Sequence, residues 1–158
     1  MTYDFTTVTE VTLASGAHAN PQEGLCFMEM VAWFAGEEHS DEPQCACPVL
    51  GRYGIGLNDR MPTDLRDRLL KPLVPMIAGT RGTRDDERRR AEFLAMWTIN
   101  RILPSALRAI GLKDHGDACA TAATLPAARA AADAARAAAD AARAAAYAYA
   151  ADAADAAD

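Results

Sequence analysis

From Cys119 to Asp158 nearly every apolar residue is alanine. Alanine buries too little area to build a core, so the core must come from roughly the first 115 positions, enough for one small domain. The tail is periodic. Arg129, Arg136 and Arg143 recur at seven-residue intervals, and Asp133, Asp140 and Tyr147 continue the pattern, so these six share one helical stripe. Alanine, the strongest helix former, fills the positions between them. The run from Pro126 to Asp158 predicts a rod about 50 Å long at ~1.5 Å per residue. Asp152, Asp155 and Asp158 crowd the negative end of the dipole, where fraying is expected. Such a rod either lies solvated or loosely docked, or pairs its alanine faces with a second copy to give a homo-oligomer.

The stretch from Asn20 to Cys47 carries most of the chemistry. Asn20, Pro21 and Glu23 have the spacing of a helix start, which predicts a helix from Asn20 to about Ala35 with Gly36 as its stop. Its circumference is mostly apolar, so it should be central to its domain. Upstream, "DFTTVTEVTLASG" reads as a short strand or extended arm pairing near Val49–Tyr53. Residues 37–48 read as a loop, and the glycines of "GRYGIGLN" as a turn or bulge. Thr63 or Asp64 should cap a second helix, irregular at Pro72 and Pro75 and ended by Gly79. Thr83 should cap a third helix, with Asp85, Asp86 and Glu87 in its first turn. Pro104 should restart a short helix before "GLKDHGD", read as a linker. The expected fold is mainly α: a compact helical domain over 1–112 with a short N-terminal extended or β element, a linker over 113–125, and a long alanine-rich helix over 126–158.

Three chemical readings attach to the opening stretch. Cys26, His39, Cys45 and Cys47 make a Cys3His set for zinc, although the repeated two-residue-separated cysteine pair of common zinc sites is absent. Cys26 near a helix start, with His18 or His39 as base and Glu29 as orienter, makes a thiol nucleophile; with Cys45 these form the candidate set of a metal- or thiol-dependent enzyme. The third reading is structural. A buried unpaired carboxylate is costly, so Glu29 should pair with an arginine or with backbone N–H groups near Gly36–Asp41. His115 and Cys119 look incidental. The structural reading leads, with no catalytic residue and no bound cofactor expected.

Net charge is -6 and unevenly placed. Residues 1–59 hold nine acids against Arg52 alone, whereas residues 60–118 hold twelve bases and eight acids. The two halves can attract each other, or the acidic front can meet a basic partner surface. "TRGTRDDERRR" is basic but interrupted by acids, so direct nucleic-acid binding is not expected. "MTYDFTTVTE" lacks a signal peptide's basic start and apolar run, and no stretch is long and apolar enough for a membrane span. A cytoplasmic protein with reduced cysteines is expected.

Gly16, His18, Glu23-Gly24, Cys26, Met28-Glu29, Val31-Ala32, Ala35-Gly36-Glu37, His39-Ser40-Asp41, Pro43 and Cys45 form a pattern. It resembles a segment of a family of small uncharacterised actinobacterial and actinophage proteins, and "LNDRMPTDLRDRLLKPLVPMIAGTRG" and the alanine-rich tail fit the same family. The resemblance covers roughly residues 12–100. It implies a bacterial or phage cytosolic setting and brings no activity, cofactor or site. The leading expectation is a non-enzymatic accessory protein that binds another protein, self-associating through its tail. The alternatives are a small acidic phage-type inhibitor of a nucleic-acid-binding host protein, and the enzyme centred on Cys26, Glu29 and His39.

Overall fold

The computed structural model describes residues 10–155, with side chains to Tyr147. Among these residues every regular element is helical. Residues 4–9 of the expected N-terminal strand lie outside the described residues. Its described end, 11–16, is irregular, and the chain near Val49–Tyr53 that it was to pair with is helix.

The chain divides into two compact units, Met1–Arg90 and Ala91–Asp158. In the first, α1 (Phe27–Ala35) is the central element, and Phe27 to Ala32 are all buried. It starts six residues later than the sequence suggests, with Cys26 rather than Asn20 as its cap. Asn20 does organise a turn, accepting the N–H groups of Gln22 and Glu23. The chain then leaves helical geometry at Gly24, whose φ is 148°. The working cap is Cys26, with Glu29 three residues on: the Cys26 sulfur accepts the Glu29 N–H at 3.5 Å, and the Glu29 carboxylate accepts the Cys26 N–H at 2.7 Å. Gly36, at φ 72°, ends the helix as expected.

Helix α2 (Pro48–Arg60) occupies the stretch read as a glycine turn. The error has a packing cause. A Cβ at Gly54 would lie 2.8 Å from the Phe27 ring, and one at Gly51 would lie 3.3 Å from the Met28 methyl. These glycines bring the α2 backbone against α1, and apolar burial there offsets the ~1 kcal/mol that each costs in helix propensity. After α2 come α3 (Thr63–Leu70), a 3-10 turn over Lys71–Leu73 and the short α4 (Val74–Ile77). Pro72 and Pro75 break the segment as expected. Leu13, Leu70 and Val74 join α1 in the core.

Helix α5 (Arg84–Trp97) opens in the first unit, and the unit boundary follows Arg90. Thr83 caps it. Asp86 accepts the Thr83 hydroxyl at 2.7 Å and the Thr83 N–H at 2.9 Å, and these bonds hold its pKa down at about 2. The second unit continues through a π-helical turn (Thr98–Ile102), α6 (Leu103–Ala109), α7 (Lys113–Thr121) and α8 (Leu125–Asp155). The stretch 113–125, expected to be a linker, therefore holds a helix, and Cys119 within it is fully buried. Ala128 and Ala135 of α8 are buried, and Ala131 and Ala135 pack with Cys119, Leu103 and Leu107. The alanine face is thus partly docked within the second unit, and small side chains allow the close approach. The charged stripe stays outside, where Arg143 pairs with Asp140 at 2.8 Å.

Gly54→Ala should destabilise the protein by about 1–3 kcal/mol in denaturant unfolding, because the added methyl meets the Phe27 ring. Gly56→Ala should be neutral or stabilising by up to ~1 kcal/mol, since its Cβ would meet only the mobile end of Arg60.

Candidate functional site

Glu29 is 1% exposed and collects donors from three directions. Oε1 accepts the backbone N–H of His18 at 2.6 Å, and Oε2 accepts the Cys26 N–H at 2.7 Å. The His18 ring places Nδ1 2.8 Å from Oε2. His39 reaches the same place by another route: its Nε2 bonds the His18 carbonyl at 2.9 Å and lies 3.6 Å from Glu29 Oε1. His39 Nδ1 is buried with no hydrogen-bond partner. Gly24 makes room for this cluster, since a Cβ there would come within 2.8 Å of the His18 ring.

Electrostatics decides what the cluster can do. Burial alone would raise the Glu29 pKa, but the N–H groups of Cys26 and His18 and the His18 ring outweigh it and hold the carboxyl below its ordinary value. Glu29 is thus an ionised hydrogen-bond acceptor at neutral pH. The Cys26 thiol goes the other way. Burial, reinforced by the Glu29 charge and only partly offset by the Glu29 N–H, pushes it up to about 12. A thiol with that pKa is not a nucleophile at neutral pH, so the candidate trio His18, Cys26 and Glu29 comes together as a capping and clamping cluster.

The proposed metal set does not assemble. Among the described residues no group of three or more His, Cys, Asp or Glu side chains is arranged to hold a metal ion. Only Cys26 and His39 of the four lie at the Glu29 cluster. Cys45 faces Glu37 and the backbone near Gly79, and burial, with Glu37, raises its pKa. Cys47 is the cap residue of α2. Burial opposes its thiolate, but the N–H of Leu50, the Arg90 guanidinium and the N–H of Val49 prevail and lower its pKa. It is fully buried, so this polarised sulfur is closed to solvent.

Comparison of the chain with protein-family models, with curated proteins and with solved structures finds no match in any of the three. The described residues contain no helix long and apolar enough to cross a membrane.

A second group of buried polar residues escaped the sequence reading. Arg66, 5% exposed, donates to the carbonyls of Asn58, Leu13 and Met61 at 2.8–2.9 Å. Asn58 donates to the Ala14 carbonyl and accepts the Phe27 N–H, and Asp67 accepts the Leu13 N–H. Together they strap residues 13–14 across the core. The available signal was that Arg66 shares a helical stripe with Leu70 and Val74, both buried; Pro72 and Pro75 made that stripe hard to read.

Glu29→Gln should cost about 3 kcal/mol, since charge-assisted bonds to buried N–H groups are lost or weakened. The pH dependence follows from the sign of the shift. Because the folded pKa of Glu29 lies below its unfolded value near 4.5, its contribution is fully present above that value and is lost as pH falls through the folded pKa. Acid unfolding of the wild type against Glu29→Gln checks this: the difference in stability should shrink below pH ~4. Iodoacetamide at mildly alkaline pH should leave Cys26 unmodified in the folded chain, as peptide mass mapping would show.

Proposed function

We propose that the chain is a non-enzymatic accessory protein that binds another protein through the aromatic face of α5. The observation that carries this reading is the exposure of Phe93 and Trp97, 66% and 47%, one turn apart on the same helix. Large aromatic side chains left in water side by side are typical anchors of protein interfaces. They line a cleft of ≈ 350 Å³ with Met96, Asn100, Arg101 and Ala120. Asn100 sits in the π-helical turn, donates to the Ala122 carbonyl at 2.7 Å and leaves Oδ1 without a partner. π-turns in α-helices frequently mark functional positions. The residues that looked catalytic are meanwhile occupied as caps and clamps, which favours a binding role over a thiol enzyme.

The setting we propose is the cytosol of a bacterium or of its phage-infected host, in keeping with four free thiols, three of them buried. Self-association through α8 is a weaker component, because part of the alanine face is already used within the second unit.

The test is affinity capture from a bacterial lysate with the wild type and with Phe93→Ala/Trp97→Ala. Both side chains are exposed, so circular dichroism should show the fold retained. The expected result is a partner held by the wild type and depleted at least about tenfold by the double variant, a loss of ~1.4 kcal/mol or more. Equal capture by both proteins would remove the aromatic face from the function. Sedimentation of the full chain over a range of concentrations tests self-association, and a monomer throughout would eliminate it.

A further inference from the structure

A different part of the first unit carries a second binding feature. The loop after α1 and the first turns of α2 enclose a cleft of ≈ 260 Å³. Pro48 and Ile55, both half-buried, supply apolar surface over a floor formed by the buried Met28 and Ala46. Asp41 and Glu42 line it from the loop, Arg52 from α2, and Arg81 from the segment after α4. Acids and guanidinium groups thus share one small cleft. Among the described residues none of these four side chains makes a hydrogen bond or ion pair.

The wall is built rather than incidental. The Glu37 carboxylate accepts the N–H groups of Gln44 and Cys45 at 2.6 and 2.7 Å. The Arg81 N–H donates to the Cys45 carbonyl at 2.8 Å, and the Cys47 N–H donates to the Thr80 hydroxyl at 3.0 Å. Every one of these bonds fixes backbone and leaves the four charged side chains uncommitted. Preorganised backbone around uncommitted charge lowers the ordering cost of binding.

Size and charge together select the occupant. The volume lies below the ~300–1,000 Å³ of pockets that enclose drug-sized molecules. Apolar surface calls for an apolar body, the guanidinium groups for a carboxylate, and the acids for an ammonium group. We propose that this cleft binds a free α-amino acid with an apolar side chain of leucine or methionine size. The site is independent of the aromatic face on α5, so either can fail without the other.

The test is a titration of the full-length, isotope-labelled protein with L-leucine, followed by amide NMR shifts up to millimolar concentration. Saturable shifts confined to residues 41–55 and around Arg81 are expected. Arg81→Ala, Arg52→Ala and Asp41→Asn/Glu42→Gln should each weaken binding several-fold, while their spectra elsewhere report an intact fold. Leucinamide, which lacks the carboxylate, N-acetyl-leucine, which lacks the ammonium, and glycine, which lacks the apolar body, should each bind more weakly than leucine. Absence of saturable shifts with both leucine and methionine would overturn the proposal. So would equal binding of leucine and leucinamide, or shifts that all three variants leave unchanged.

Discussion

The buried Glu29 carboxylate is the constraint around which the first unit is arranged. A charge 1% exposed is tolerated only when its oxygens are saturated, and the chain saturates them by bending back on itself. The turn at Asn20 and the departure at Gly24 return His18 so that its N–H and ring both reach the carboxylate. The Cys26 N–H completes the set and is at the same time the first orphan donor of α1. One side chain therefore caps the central helix, fixes its entry loop and, through the His18 carbonyl, anchors His39 in the exit loop. Glu37 repeats the device a few residues on, holding the backbone of Gln44 and Cys45.

Around this centre the remaining irregular chain is held by polar side chains rather than by a sheet. Among the described residues, 11–16 make one backbone hydrogen bond to the rest of the entry segment, Ala14 N–H to the Leu25 carbonyl. Arg66, Asn58, Asp67 and Asp59 supply what a neighbouring strand would otherwise provide. That arrangement suits a small unit: Leu13 is pressed into the core while the polar backbone on either side of it stays satisfied.

How much of this was legible depended on whether a signal was local. The Gly36 stop, the Thr83 cap, the proline breaks and the alanine helix are set by near neighbours in sequence, and each appears where local chemistry puts it. Glycine in α2 was misread because its purpose is non-local: Gly51 and Gly54 answer to Met28 and Phe27, more than twenty residues away. The start of α1 was displaced because two cap-like triplets, Asn20/Glu23 and Cys26/Glu29, have the same spacing, and cysteine is not among the favoured cap residues. Glu29 was recognisable as a buried carboxylate in need of partners. Its hydrogen bonds come from upstream, from the N–H groups of His18 and Cys26 and the His18 ring, rather than from an arginine or the backbone N–H groups near Gly36–Asp41. The helix over Lys113–Thr121 was hidden by two glycine signals, Gly111 just before it and Gly116 within it, although Cys119 in the same helix is a core residue.

An imidazole against a buried carboxylate, beside a cysteine at a helix start, is also how a thiol catalyst is built, and the ionisation of the thiol distinguishes the two cases. In the enzyme reading a histidine is the base and Glu29 orients it, and a nucleophilic thiol must be stabilised as thiolate. In this cluster Oε2 of Glu29 is shared between the Cys26 N–H and the His18 ring, and Oε1 is taken by the His18 N–H. The same negative charge that organises the loop sits beside the Cys26 sulfur and opposes its ionisation. Saturating the carboxylate and raising the thiol pKa are thus two consequences of one placement. The hydrogen bonds that let this sequence bury Glu29 thus go together with a thiol held in its protonated form.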